Sequence, residues 1–374
     1  MTLSTSASRH WVWCRSATLC PLVAWLRLVA LALVPVMFVA SALAQQEYPL
    51  LSRALTVERL PGQQPVYYVV GQPGIPGKDN EGHTSNAGFV VTSQGVVVFD
   101  ALGSPSLGWD FLQQIRKISD QPIRYIVVSH YHADHIYGLQ AFKDHSPGAV
   151  IVAQERAGEY RENEQTADER ANQRLDQRRE ALFPWVDRNT RVVPPDITFR
   201  QRVVLNLGGK RFVLIYAGPG HSASDIMMMV EPDSVLFAGD IVQNGRIPFM
   251  NSDDVDTASW LRALADVETL DPRFIIPGHG RPSTAAKQAI AFTRDYIEYV
   301  RGAMGKAVEN WIGFDVAYEQ IDWSKYKSMP PLAATIEAMP IGSFWSSNNH
   351  SSRMRFRRSS SCPSENILNT MNLM

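Results

Sequence analysis

Four side chains of the kinds that bind metal ions fall within six positions: His130, His132, Asp134 and His135, with Tyr131 and Ala133 between them. Imidazole nitrogen and carboxylate oxygen together suit zinc, and also manganese or iron. One histidine alone is ordinarily a core or surface residue, whereas four ligand-type side chains so close together make a motif. Ile123-Arg124-Tyr125-Ile126-Val127-Val128-Ser129 precedes them, a β-branched and aromatic run that reads as a buried strand. Tyr137-Gly138-Leu139-Gln140-Ala141-Phe142 follows and can open a helix. The motif therefore belongs to a loop leaving the C-terminal end of a strand, where α/β sheets place their chemistry.

Three further candidates lie downstream, each beside glycine and each following a strand-like run: His221 in Gly218-Pro219-Gly220-His221, Asp240 in Ala238-Gly239-Asp240, and His279 in Pro277-Gly278-His279-Gly280. Glycine lets the backbone turn sharply and approach a bound ion. Loops at strand ends converge on one sheet edge, so His130, His132, His221, Asp134, His135, His279 and Asp240 can gather there. One ion cannot use seven ligands, but two ions sharing a carboxylate can. Asp100 ends the strand Val96–Asp100 and reads either as a helix cap or as a partner that orients a metal-binding histidine. His83, in the loop from Gly71 to Asn86, is a candidate for the substrate mouth. So are Tyr131 and Tyr137, which are also candidate leaving-group acids.

The elements that must position these groups alternate. Strands are expected at 66–70, 87–92, 96–100, 149–153, 225–230, 234–237 and 273–276, with two or three more between Ile197 and Tyr216. Helices are expected at 109–118 and 258–270, and a long one from Ser283 carries an inward stripe of Ala286, Ile290, Ile297, Val300, Met304 and Val308. Met227-Met228-Met229 reads as core. Residues 154–182 read as a solvated helix in which Arg170, Arg174 and Arg178 recur at four-residue spacing among interleaved acids.

The chain has 374 residues and a formal net charge of −1, which gives no basic footprint for nucleic acid. Residues 1–44 combine arginines, an apolar run from Leu28 to Ala40 and an Ala-Leu-Ala-Gln end, the pattern of a secretory signal peptide. The expectation is export to a bacterial periplasm, with no membrane span retained after cleavage; the rival reading is an uncleaved anchor. Residues 45–65 read as an extended lead-in and 66–328 as the catalytic domain. Residues 329–374 read as an atypical Ser/Arg/Asn-rich tail, across part of which a shifted reading frame permits a credible terminal strand. Cys14 and Cys20 lie in the leader and Cys362 in the tail, so the body has neither a disulfide nor a thiolate ligand.

From Val66 to Phe314 the chain resembles the metallo-β-lactamase-fold superfamily, on the H-x-H-x-D-H stretch at 130–135 and the downstream His221, Asp240 and His279 in the family's order. The resemblance implies an α/β fold, a four-layer αββα sandwich with two zinc ions (iron or manganese being alternatives) at one edge of its two sheets. It further implies that His130, His132 and His221 hold the first ion, that Asp134, His135 and His279 hold the second, and that Asp240 bridges. Asp100 matches a structural aspartate that supports the ligands. The implied reaction is hydrolysis of an ester, thioester, amide or lactam carbonyl in a small molecule by a metal-bridging hydroxide, with Asp134 orienting that hydroxide. Asp240 at the bridging position is similar to glyoxalase II-like enzymes and unlike β-lactamases, which carry cysteine or serine there; β-lactam hydrolysis stays open as a main or side activity. Ile136-Tyr137-Gly138 departs from the glyoxalase II pattern, and no C-terminal helical substrate domain follows. The export signal and the Ser-His-Tyr-His-Ala-Asp-His context look more like the periplasmic zinc metallohydrolases of quinoprotein relay and sulfur-oxidation systems. An iron persulfide dioxygenase with one ion is an alternative on the same fold.

Overall fold

The computed structural model describes residues 48–62, 65–157, 167–250, 254–326 and 329. The expected leader at 1–44, and the tail at 329–374 apart from Met329, lie outside them. The chain divides after Pro49, and the architecture below is that of residues from Leu50 on.

The first sheet takes its seven strands in chain order: β1 (Glu58–Arg59), β2 (Val66–Val69), β3 (Ala87–Thr92), β4 (Gly95–Phe99), β5 (Ile123–Val127), β6 (Val150–Gln154) and β7 (Ile197–Phe199). It is antiparallel from β1 to β4 and parallel from β4 to β7. Helices α1 (Pro105–Ile118), α2 (Ala133–Ile136), α3 (Leu139–His145) and α4 (Ala167–Leu182) fall in its crossovers. The second sheet comprises β8 (Arg202–Leu207), β9 (Lys210–Tyr216), β10 (Ile226–Glu231), β11 (Val235–Asn244) and β12 (Phe274–Gly280), ordered β12-β11-β10-β9-β8. Only its β11–β12 pair is parallel, and that pair is joined through α5 (Thr257–Leu270). Helices α6 (Ala286–Glu309) and α7 (Phe314–Gln320) follow.

Period-two alternation builds the layers. Along β4, Val96 and Val98 pack towards Leu107, Phe111, Ile115 and Phe142 of the helices, whereas Val97 and Phe99 face the other sheet. Along β10, Met228 and Val230 meet that same central layer, and Met227 and Met229 pack against Trp260, Leu264, Ile297 and Val300 of α5 and α6. Both strands are covered on both faces, which explains why they read as unbroken apolar runs. Helix, sheet, sheet and helix thus stack around three hydrophobic layers, as the family resemblance implied, and the methionine triplet is core.

Several boundaries move for identifiable reasons. Ser104 caps α1 by accepting from the Leu107 amide at 3.1 Å, and Pro105 opens the helix, so it begins four residues before Trp109. The lead-in at 45–65 contributes β1 and buries Leu55 and Leu60 in the core. β11 does not stop at Phe237. It runs on to Asn244 beside β12, with register irregularities after Phe237 and Gly239. Asp240 and His279 therefore lie within strands rather than after them, on a locally distorted stretch that aims both side chains at the sheet edge.

Candidate metal centre

The seven side chains from four separate stretches come together at one end of the two sheets. His130 Nε2 lies 3.0 Å from His132 Nδ1, which lies 2.8 Å from His221 Nε2. Beside this trio, Asp134 Oδ2 lies 3.7 Å from His135 Nε2 and 3.5 Å from His279 Nε2. Asp240 joins the groups: Oδ2 lies 3.2 Å from His221 Nε2 and 3.1 Å from His279 Nε2, and Oδ1 lies 3.3 Å from His135 Nε2. His130, His132 and His221 satisfy the spacing for one ion, and Asp134, His135 and His279 for another.

The outward nitrogens fix which atoms face inward. His221 Nδ1 lies 3.0 Å from the Phe249 carbonyl oxygen and His279 Nδ1 lies 2.7 Å from that of Thr84. His221 Nδ1, against a carbonyl, carries the proton, so its Nε2 presents a lone pair, while His279 Nδ1 stands between the Thr84 carbonyl and Arg246 with its Nε2 facing the acids. Asp100 settles its two readings in favour of the orienting partner. Its Oδ2 lies 2.8 Å from His135 Nδ1 and accepts from Ser129 Oγ at 2.8 Å, while Oδ1 accepts from the Ser129 amide at 2.7 Å. Ser129 Oγ is in turn 2.9 Å from His130 Nδ1. One buried carboxylate, held at a left-handed φ of 62°, thus aligns two histidines. Replacing it, as Asp100→Ala, is expected to weaken metal retention about 10- to 100-fold, measured by competition with a chromophoric chelator.

Electrostatics agree with a cation site. Burial holds His130 and His132 well below the ordinary histidine value, so their rings are neutral. Burial also opposes the charged form of His135, but Asp134, Asp240 and Asp100 outweigh it and raise that group well above 6.5. Asp240 is buried too, yet His279, His135 and His221 keep its carboxyl well below the ordinary range. Buried His135 Nε2 and Asp240 Oδ1 face each other across 3.3 Å and have no other partner among the described residues. Converging lone pairs and two ionised carboxylates in a buried site are what a bound cation would satisfy.

Linkage has a definite sign here. The proton on His135 stabilises the metal-free protein fully below pH 6.5, and that contribution is lost as pH rises through the raised value. Metal needs the lone pair, so binding near pH 7 should release about one proton from this ring and should tighten as pH rises. Titrating metal into weakly buffered protein with a pH indicator measures this directly; no proton release would contradict it.

Supporting groups without a sequence signature lock the site. Asn86 Nδ2 donates to the carbonyl oxygens of Pro277 (2.8 Å) and Gly280 (2.7 Å), and the Asn86 amide donates to Gly278 O at 2.7 Å, fastening the 83–86 loop to β12. Asp225 accepts from the Gly220 amide (3.1 Å), the Ser222 amide (2.8 Å) and Ser222 Oγ (2.7 Å), shaping the turn that carries His221.

The three mouth candidates separate. Tyr131 lies at the ligand cluster, its hydroxyl donating to Asp254 and its ring under the Arg174 guanidinium, 5.6 Å away. His83 is half-buried one residue before Thr84; burial lowers its pKa to about 4. Tyr137 does not line a mouth. The motif turns helical at Ala133, Tyr137 caps that helix, and its side chain is fully buried in the helix–sheet core. The helix at 167–182 also differs from a purely solvated one: Leu175 and Leu182 dock it on the core, and Arg174 reaches Tyr131.

Comparison with known proteins extends this geometry. The profile of the metallo-beta-lactamase superfamily matches residues 81–279, more than half of the chain and the whole span of the seven side chains. A linear primary-alkylsulfatase from Pseudomonas sp. is 24% identical over 245 residues, covering 57% of this chain and 45% of that protein. The chain therefore spans less than half of that relative. The acyl-coenzyme A thioesterase MBLAC2 of Gallus gallus is 29% identical over 219 residues, covering 53% of this chain and 73% of its own. Among solved structures, the stereoselective inverting sec-alkylsulfatase Pisa1 from Pseudomonas sp. superposes with a TM-score of 0.56 at 16% identity, over 72% of this chain and 45% of that one. These relatives share hydrolytic activity and differ in the bond they cleave. With its two stacked sheets, its His/Asp cluster at their edge and a profile match across both, this chain belongs to the metallo-beta-lactamase superfamily.

Proposed function

We propose that the chain is a zinc hydrolase with a dinuclear centre, exported to the periplasm, that cleaves ester-type bonds in a small molecule. His130 Nε2, His132 Nδ1 and His221 Nε2 would hold one ion, Asp134, His135 and His279 the other, and Asp240 both. The observation that carries this reading is the Asp240 carboxylate, which lies within 3.3 Å of a nitrogen from each histidine group. Held there, a pair of ions would supply a water of lowered pKa and a polarised bond for attack. The chain's own acids divide the remaining work. Asp240 is 4% exposed, whereas Asp134 is 16% exposed and stands on the open side. Asp134 would orient the attacking water as well as ligate. Ester, thioester, amide and lactam carbonyls all suit this arrangement, and the sulfatase and thioesterase relatives favour esters and thioesters.

No helix among the described residues is long and apolar enough to cross a membrane. The periplasmic assignment rests on the pattern of residues 1–44 and is tested by fractionating cells and sequencing the N-terminus of the exported protein; a start at Gln45 is expected. The test of the centre is elemental analysis of protein purified from Gln45 onward. About two zinc ions per chain are expected. About one iron would replace this reading with the oxygenase, and no metal in folded protein would overturn both.

A further inference from the structure

We infer that Tyr131 and Asp254 are positioning residues that hold His130 and His132 against His221, so that the first ion depends on this pair and the second does not. This rests on the metal-centre reading above and deepens it, because it makes the two ligand sets separable.

The three histidines come from two loops far apart in the chain. His130 and His132 follow β5 in the first sheet, and His221 follows β9 in the second. Backbone joins the loops where the Ile226 amide donates to Ser129 O at 2.8 Å, before His130 and after His221. A second tie runs through side chains at the ligands themselves. Asp254 Oδ2 accepts from the Ala223 amide at 2.8 Å and also from the Tyr131 hydroxyl. Tyr131 stands between His130 and His132, and Ala223 lies two residues after His221. Asp254 is itself anchored outside the site. Two residues on, Asp256 caps α5 by accepting from the Ser259 amide at 2.9 Å, and its own amide donates to Gly220 O at 3.0 Å. The start of α5 thus grips the His221 turn on both sides of the histidine, at Gly220 and at Ala223, and reaches across to Tyr131.

The second set has supports of its own and shares none with this pair. Asp100 meets His135 Nδ1, the Thr84 carbonyl meets His279 Nδ1, and Ser85 Oγ donates to the Asp134 carbonyl oxygen. Removing the Tyr131 hydroxyl leaves all three contacts in place. A phenol also has one proton to donate, and Asp254 takes it, so Tyr131 is engaged as a tie between loops rather than as a leaving-group acid. Partners that orient metal ligands without touching the ion ordinarily set its affinity, which gives the tie a measurable weight.

The test is zinc binding to the metal-free protein, measured by competition with a chromophoric chelator. Wild type should show two binding steps, and the step that His221→Ala abolishes marks the first set. Tyr131→Phe removes one oxygen and keeps the ring. It should weaken that step about 10- to 100-fold and leave the other unchanged. Asp254→Ala should do the same, and combining the two should weaken the step no further than Asp254→Ala alone, because both act through one contact. Asp254→Asn keeps an acceptor oxygen and should recover part of the loss. If Asp254→Ala does not fold, Tyr131→Phe decides alone. Two unchanged steps in Tyr131→Phe overturn the inference and leave the dinuclear centre standing. Equal weakening of both steps also overturns it, since the pair would then support the fold at large. A wild type with a single step ends the dinuclear reading; weakening of that step in Tyr131→Phe would still support the inference, and unchanged affinity would overturn it.

Discussion

Asp134→Ala is expected to lose at least about 10²-fold in turnover on any substrate the wild type hydrolyses, while keeping its fold. The argument is one of position. The Asp134 side chain is the more open of the two ligand-type acids, and it faces His135 and His279 across 3.7 and 3.5 Å. Its own backbone is held independently, since Ser85 Oγ donates to the Asp134 carbonyl oxygen at 2.5 Å. Removing the carboxylate therefore leaves the loop anchored and subtracts only the group proposed to orient water and to complete the second ligand set. Asp134→Asn separates these roles, because an amide oxygen still accepts a hydrogen bond from water but carries no charge for a cation. Metal content, circular dichroism and turnover measured together decide the matter. Retained turnover in the alanine variant would remove Asp134 from the mechanism, and loss of fold would make it a structural residue.

What was legible in the chain, and what was not, divides along physical lines. Imidazole and carboxylate are rare enough in such spacing that His130, His132, Asp134 and His135 announce themselves, and the glycines before His221 mark a turn, whereas those beside Asp240 and His279 lie within β11 and β12. Val96–Phe99 and Ile226–Val230 read as strands and the methionine triplet as core, and both strands prove covered on both faces. The groups that orient the ligands were hidden for a simple reason: the carbonyls of Thr84 and Phe249 act through backbone, which every residue carries. Tyr137 misled because nearness in sequence is not nearness in space. A helix rotates about 100° per residue, and once Ala133–Ile136 coils, the next side chain swings into the core. The place of α4 was equally unreadable. Its arginine spacing is that of any solvated helix, and only the burial of Leu175 and Leu182 shows which side its cations face.

Gly278→Ala should disable both halves of the centre through a single methyl group. A Cβ at this position would lie 1.9 Å from Asp240 Oδ1, 2.7 Å from the Gly239 carbonyl carbon and 2.9 Å from the Asp240 amide nitrogen. The first obstacle is the shared carboxylate itself; the other two are backbone of the adjoining strand, which cannot rotate away. β12 cannot retreat either, because Asn86 fastens it through Pro277, Gly278 and Gly280. Something must shift by more than an ångström, and Asp240 is the group with freedom to do so. The cost of overpacking at a buried site is about 1–3 kcal/mol, which a fold of this size survives. The larger effect is chemical: a displaced Asp240 no longer reaches His221, His135 and His279 together, so bound metal should fall from both sets and turnover with it. Gly302→Ala, in α6 where a Cβ meets nothing within 4 Å, supplies the contrast and should raise stability by about 0.5–1 kcal/mol with metal content unchanged. Full metal loading of the Gly278 variant would mean that Asp240 does not bridge.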